Sequence, residues 1–250
     1  MDLISVIIPY FRKKKFINYS LNSIFNQTYS NYEIILIYDD EDKSDLKHLT
    51  EQYSSNKKIK FIINEKNIGA GFSRNKGVEL AKGNYLCFLD ADDIWEKNKL
   101  ETQLRFMKNI ESSISHTSYK IINEKDDLIG SRKAKNFFNF REIIKSCDIG
   151  LSSVMLKKEI LNSDIQFPNL KTKEDFVLWL KILKKGIKIS AIDQNLLLWR
   201  KTKNSLSGST LRKLIDGFKV YNNYMGFNFF VSTYYLICLS LNYLIKRIND

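Results

Sequence analysis

YLCFLDADDIW, residues 85–95, sets three aspartates in four positions at the end of an apolar run. Tyr85 to Leu89 has the length and apolarity of a buried strand. Asp90, Asp92 and Asp93 begin where that strand stops. Carboxylates this close repel one another and resist leaving water. The stretch is therefore either an exposed acidic turn or the seat of something cationic.

The surrounding sequence places this strand in a repeating series. Leu3 to Ile8 is a short β-branched run ended by Pro9, and Phe16 to Phe25 carries helical spacing. Glu33 to Tyr38 is a second buried strand, ending at Asp39 and Asp40. Ser44 to Tyr53 suits a helix with Ser44 as N-cap, and Ile59 to Ile63 is a third strand. Phe72 to Ala81 reads as a helix stopped by Gly83, and Lys97 to Lys108 as the helix after the acidic strand. Strands alternating with helices at this spacing imply βαβ units and a mostly parallel sheet. Such a sheet binds ligands beyond the carboxyl ends of its strands, where all five of these aspartates fall.

The second half is less regular. Ile114 to Ile122, Ser153 to Leu156, Ile187 to Ile192 and Leu196 to Trp199 read as strands. Glu174 to Lys184 is an amphipathic helix with Phe176, Val177, Leu180 and Leu183 on one side. Glu174 and Asp175 open that helix, where the dipole favours ionised carboxylates. They either complement the dipole or supply a base for an incoming hydroxyl.

Leu211 to Tyr224 is helical, and Val220 to Ile245 carries no formal charge before Lys246 and Arg247. A membrane span needs about 20 predominantly apolar residues, and Asn228, Ser232, Thr233, Ser240 and Asn242 dilute this segment. A helix lying in a membrane interface and a terminal helix packed on the domain or on a second subunit both fit.

The chain has 250 residues, 44% of them hydrophobic, enough for one sizeable domain with an appendage. Lysine and arginine outnumber the acidic residues by 40 to 28, which favours an anionic partner. Cys87, Cys147 and Cys238 form no CxxC pair, which suits reduced cysteines in the cytoplasm. The opening MDLISVIIPY has no basic leader region, so a secreted chain is not expected. No GxGxxG follows a strand and no GxxxxGK[ST] occurs. Two histidines, His48 and His116, leave little for a zinc or Ser-His-Asp enzyme. Carboxylates remain: Asp90-Ala91-Asp92 at a strand end can present oxygens to Mn²⁺ or Mg²⁺ and share the shell with a diphosphate. A nucleic-acid partner would explain the charge but not the aspartates.

Four motifs occur in a telling order: SVIIPYF (5–11), LNSIFNQTYSNYEIILIYDD (21–40), NIGAGFSRNKGVELAKGNYLCFLDADDIW (67–95) and KEDFVLWLKIL (173–183). Together they resemble the bacterial family-2 glycosyltransferases of GT-A fold, above all those that build lipopolysaccharide, O-antigen or teichuronic-acid chains. SHTSYKIIN (115–123) and WRKTKNSLS (199–207) are similar to later segments of that group.

The resemblance implies a Rossmann-like α/β sheet with a C-terminal apolar helical extension. Residues 1–208 would be the GT-A domain, with a nucleotide-sugar half (1–110) and an acceptor half (111–208), and 209–250 the extension. It also implies an inverting, metal-dependent transfer from a nucleotide-diphosphate sugar, usually UDP-linked, to a saccharide or polyprenyl-diphosphate-linked acceptor. Pro9, Tyr10 and Phe11 match the strand end lining the nucleoside pocket, and Asp39 the aspartate that bonds the base. Arg74 matches a basic residue near the diphosphate. Asp90, Ala91 and Asp92 match the DxD motif, with Asp92 on the metal and Asp90 on the ribose or a metal-bound water. Asp175 matches the general base, with Glu174 beside it, and Arg200 and Lys203 a diphosphate-side or acceptor-side pair. The implied location is the inner face of the cytoplasmic membrane, held peripherally on anionic lipid. Two other readings stay in view: a non-catalytic nucleotide-sugar-binding or scaffold paralogue, and a sugar-phosphate nucleotidyltransferase.

Overall fold

A computed structural model describes residues 1–202 and 210–248. The first half builds β1 (Ile4–Tyr10), α1 (Lys14–Phe25), β2 (Tyr32–Tyr38), α2 (Ser44–Tyr53), β3 (Ile59–Ile63), α3 (Ala70–Leu80) and β4 (Tyr85–Phe88). The short β5 (Ile94–Trp95) and α4 (Lys99–Asn109) complete it. Then come β6 (Ile114–Ile122), β7 (Leu128–Arg132), α5 (Phe140–Ile143), β8 (Met155–Lys157), α6 (Glu174–Lys184) and β9 (Ser190–Arg200). Two C-terminal helices, α7 (Thr210–Lys219) and α8 (Phe229–Ile248), flank a π-helical turn at Val220–Tyr224.

The strands form one sheet in the order β3-β2-β1-β4-β8-β6-β9-β5, with β7 on β6. The pairs β1–β2, β1–β4 and β2–β3 are parallel. Beyond β4 the sheet is mixed: β8 runs antiparallel to β4 and β6, while β6 and β9 are parallel. The chain goes from β1 outward to β2 and β3, then returns to the other side of β1 as β4. Strand order thus reverses between β1 and β4, which opens a crevice at their carboxyl ends.

Period-two alternation divides the buried strands between two cores. Ile7, Ile35, Leu86 and Phe88 face one core with α6. Val6, Ile8, Ile34, Leu36 and Cys87 face the other, against Ile17, Leu21 and Ile24 of α1 and Leu100 and Leu104 of α4. Gly77 lets α3 lie close to the sheet, since a Cβ there would sit 2.5 Å from Ile7 Cγ2.

Helix α6 is enclosed rather than one-sided: Phe176, Val177, Leu178, Trp179, Leu180, Ile182 and Leu183 are all buried. It has the sheet on one side and Val220, Tyr221 and Leu239 in the same core. Burying seven such side chains contributes on the order of 10 kcal/mol, enough to hold two acidic residues at a poorly exposed helix start.

Some local expectations change. Ser44 is the first helical residue of α2, not its cap; its N–H donates to Asp42 Oδ1 at 2.9 Å. Helix α3 ends at Leu80 because Ala81 turns extended, before Gly83 is reached. Residues 151–153 form a 3₁₀ turn ahead of β8. The strands expected at 187–192 and 196–199 are one strand from Ser190, carried past Asp193 and Gln194 by bulges opposite Ser118. No helix among the described residues is long and apolar enough to cross a membrane.

Candidate active site

The crevice at the ends of β1 and β4 gathers most of the expected residues. Asp90 follows β4; its N–H donates to Ser152 Oγ at 3.1 Å and its carbonyl accepts from Asp93 N–H at 3.0 Å. This tight turn splays the three carboxylates. Asp90 turns to Arg74, Asp92 to Lys13, and Asp93 to β9, where its Oδ1 accepts from Arg200 N–H at 2.8 Å. Ala91 is buried between them. Neither Asp92 nor Asp93 caps α4. Burial, reinforced by Asp92 and Asp90, pushes the Asp93 carboxyl well above the usual range.

Arg74, on α3, ties the two acidic motifs together. Its Nη2 lies 2.7 Å from Asp90 Oδ1 and its Nη1 2.7 Å from Glu174 Oε1. The guanidinium is buried over the Phe167 ring. Burial opposes its charge, but the Asp90 and Glu174 carboxylates outweigh that and raise its pKa further. The close approach of α3 to the start of α6 needs Gly71, where a Cβ would stand 3.0 Å from Pro168 O and 3.5 Å from Glu174 Cγ.

Asp175 stands next to Glu174 at the start of α6, and among the described residues its Oδ1 accepts only from the adjacent Phe176 N–H at 2.7 Å. Burial, then repulsion from Glu174, pushes its carboxyl up to about 7, against the pull of Arg74 and Lys173. The helix start was expected to hold both acids ionised. For Asp175 desolvation outweighs the helix dipole, worth only about 0.3–1 kcal/mol at an end.

Asp92 is also pushed up, first by burial and by Asp90, while Lys13 pulls it down. Lys13 Nζ lies 2.5 Å from Asp92 Oδ2 and 3.2 Å from Thr202 Oγ1. Arg200 is almost wholly enclosed. Its Nε donates to Asp92 O at 2.9 Å, its Nη1 to Asn123 O at 3.0 Å and Asp126 Oδ1 at 2.6 Å, while Nη2 has no partner among the described residues. Lys203 lies outside the described residues.

On the β2 side, Asp39 is buried and serves the chain itself. Its Oδ1 accepts from Asn64 Nδ2 at 2.8 Å and Ile68 N–H at 2.9 Å, and its Oδ2 from Gly69 N–H at 2.9 Å. A carboxylate has about four lone-pair sites, so one remains for a ligand. Asp40 accepts from Arg12 Nε at 3.2 Å. Tyr10 is fully buried, stacked on Tyr38 at 5.0 Å with its hydroxyl on Asp45 Oδ2 at 2.6 Å. Pro9 pairs with Ile37 in the sheet, and the Phe11 ring carries the Arg12 guanidinium at 4.9 Å. His116 is a satisfied buried side chain, bonded to Lys135 O at 2.8 Å and held down to about 4 by burial.

Among the described residues no group of three or more His, Cys, Asp or Glu could hold a metal alone. Two hard carboxylates, each held by a cation, suit Mn²⁺ or Mg²⁺ only where diphosphate and water complete the shell.

The sequence reading missed Lys13, Asp126, Asn64 and Ser152. The only signal for Lys13 is the basic run FRKKK, which does not say which cation turns inward. The other three are ordinary polar residues until the loops are built.

Comparison with known proteins reaches the same region. Residues 5–158 match the family described as Glycosyl transferase family 2. The chain is 34% identical over 249 residues to the Escherichia coli UDP-Glc:alpha-D-GlcNAc-diphosphoundecaprenol beta-1,3-glucosyltransferase WfgD, covering 99% of this chain and 94% of that one. It is 30% identical over 248 residues to TuaG of Bacillus subtilis (strain 168), provisionally named a teichuronic acid biosynthesis glycosyltransferase, covering 98% of each. Among solved structures, S. aureus TarS 1-349 in complex with UDP-GlcNAc superposes with a TM-score of 0.72 at 23% identity. That match covers 89% of this chain and 65% of TarS 1-349, and it shows a shared fold.

Proposed function

The chain belongs to glycosyltransferase family 2, and on that premise we propose an inverting transfer of a sugar from a UDP-linked donor to a hydroxyl of a lipid-linked saccharide. Arg74 carries this reading. By bridging Asp90 and Glu174 it fixes the helix bearing Asp175 against the acidic turn at the crevice. Two relatives inform the choice of partners: WfgD is named for UDP-Glc and a diphosphoundecaprenol-linked GlcNAc, and TarS was solved with UDP-GlcNAc.

Asp175, with its carboxyl near 7, is partly deprotonated at neutral pH and basic enough to take a proton from an acceptor hydroxyl. That hydroxyl attacks the anomeric carbon on the face opposite the departing diphosphate, and one such displacement inverts configuration. Asp92 and Asp90 would hold Mn²⁺ or Mg²⁺, whose charge counters that developing on the leaving diphosphate. Arg74 holds Glu174 beside the base, and Glu174 raises the Asp175 carboxyl.

The test is UDP release from UDP-glucose, with and without a diphosphoundecaprenol-linked GlcNAc acceptor, before and after chelation by EDTA. Acceptor-dependent release that stops with EDTA and returns with Mn²⁺, giving a product of inverted anomeric configuration by NMR, is expected. Binding of UDP-glucose with no release to any acceptor hydroxyl would leave the non-catalytic reading in its place.

The same reading places the protein peripherally on an anionic membrane. Helices α7 and α8 leave Leu211, Phe229, Phe230, Ile237, Leu241 and Leu244 exposed. Lys145 and Lys213 lie over Tyr234 and Tyr243 of α8. An apolar face with basic neighbours suits anionic lipid. Replacing Phe230, Ile237 and Leu241 together by Ser should abolish sedimentation with phosphatidylglycerol vesicles. Unchanged sedimentation would refute the membrane face.

A further inference from the structure

We infer that Lys13 is a movable cation of the donor site: it and a divalent metal ion exchange places on Asp92, and the released ammonium then holds the donor's diphosphate. This rests on the nucleotide-sugar reading above. The ammonium lies 2.5 Å from Asp92 Oδ2. A metal ion bound directly by that oxygen sits about 2.1 Å from it. Both cations on one oxygen would stand only a few ångströms apart, within a pocket where Asp92 is largely removed from water. Their repulsion in that pocket favours one cation over both.

The architecture gives Lys13 somewhere to go. It lies three residues after the end of β1 and ends the loop before α1, so its stem is anchored at the crevice between β1 and β4. About a quarter of its side chain stays exposed, and its second contact, to Thr202 Oγ1 at 3.2 Å, is neutral and weak. Arg74 differs: it is buried and locked between two carboxylates. Among the described residues, Lys13 is therefore the cation of this cluster that can turn to an arriving phosphate oxygen, where charge-assisted hydrogen bonds are strongest. Lysine suits the task, since its ammonium is a compact point charge on a flexible stem.

The experiment titrates the full chain, Lys13→Met and Lys13→Arg with Mn²⁺ alone by electron paramagnetic resonance. Calorimetry then follows UDP binding in saturating Mn²⁺. Lys13→Met should bind Mn²⁺ alone about three- to tenfold more tightly and UDP with Mn²⁺ about tenfold more weakly, the size of one charge-assisted contact. Lys13→Arg should return Mn²⁺ affinity towards that of the parent. Mn²⁺ affinity unchanged or weakened in Lys13→Met would overturn the exchange, and unchanged UDP affinity would overturn the diphosphate contact. A parent chain that binds Mn²⁺ but no UDP would instead overturn the nucleotide reading, with the Mn²⁺ titrations still deciding whether Lys13 and metal compete.

Discussion

Two sides of the crevice treat their carboxylates in opposite ways. On the β4 side, Asp90 and Asp92 are each closed by a cation, Arg74 at 2.7 Å and Lys13 at 2.5 Å. On the α6 side, Glu174 shares the same arginine, while Asp175 forms no ion pair among the described residues and accepts from one backbone N–H. A cation at hydrogen-bond distance favours the charged carboxylate, and at Asp92 the pull of Lys13 works against burial and Asp90, which still raise that carboxyl. Withholding one, and adding a neighbouring negative charge, makes the next carboxylate proton-seeking. The contrast separates acids that hold positive charge from an acid that collects a proton, and each prediction below breaks or sharpens it.

The largest effect falls on the unpaired acid. Asp175→Asn keeps size and polarity and removes only the proton acceptor. Sugar transfer should fall about 10²- to 10⁴-fold, with UDP affinity in Mn²⁺ unchanged within twofold. Transfer rates within a factor of two of the parent would show that Asp175 is one more structural acid.

The next breaks the paired side. Arg74→Ala leaves Asp90 and Glu174 without their counter-ion, and removing one partner of a buried pair destabilises by about 3–5 kcal/mol. Denaturant unfolding should show that loss, and Arg74→Lys should recover only part of it because one ammonium cannot match the fork that reaches both acids. A loss below about 1 kcal/mol, the worth of a surface pair, would mean the bridge does not set the crevice.

These roles were unevenly legible in the chain. The parallel half was readable because its strands are buried on both faces, so ISVIIPY and EIILIY appear as unbroken apolar runs with carboxylates at their ends. Helix α6 was readable in extent, Glu174–Lys184, but not in surroundings. Its full enclosure depends on Tyr221 and Leu239 from far along the chain. Strand β9 was split because Asp193 and Gln194 interrupt its apolar pattern, and only pairing with β6 reveals them as a bulge. Within the crevice, DADD and ED stood out as clusters, whereas Lys13 is one of three consecutive lysines and nothing local distinguishes it. Pairing across 79 residues, from Lys13 to Asp92, is a property of the sheet order and not of either segment.

The smallest effect, and the one that sharpens the contrast most, is the pH dependence of stability. The Asp175 carboxyl is raised in the fold from 3.8 to about 7, so the folded chain favours its neutral form. That preference is fully present below pH 3.8 and is lost as pH rises through about 7, where the folded state must ionise a desolvated acid. Asparagine resembles the neutral form at every pH. Asp175→Asn should therefore melt close to the parent at pH 4 and above it at pH 8. Transfer by the parent should move the other way, rising with pH through about 7 as the base loses its proton. Opposite slopes traced to one residue are what a base held against its own ionisation requires. A variant that melts below the parent at pH 8 would place Asp175 with the ion-paired acids across the crevice.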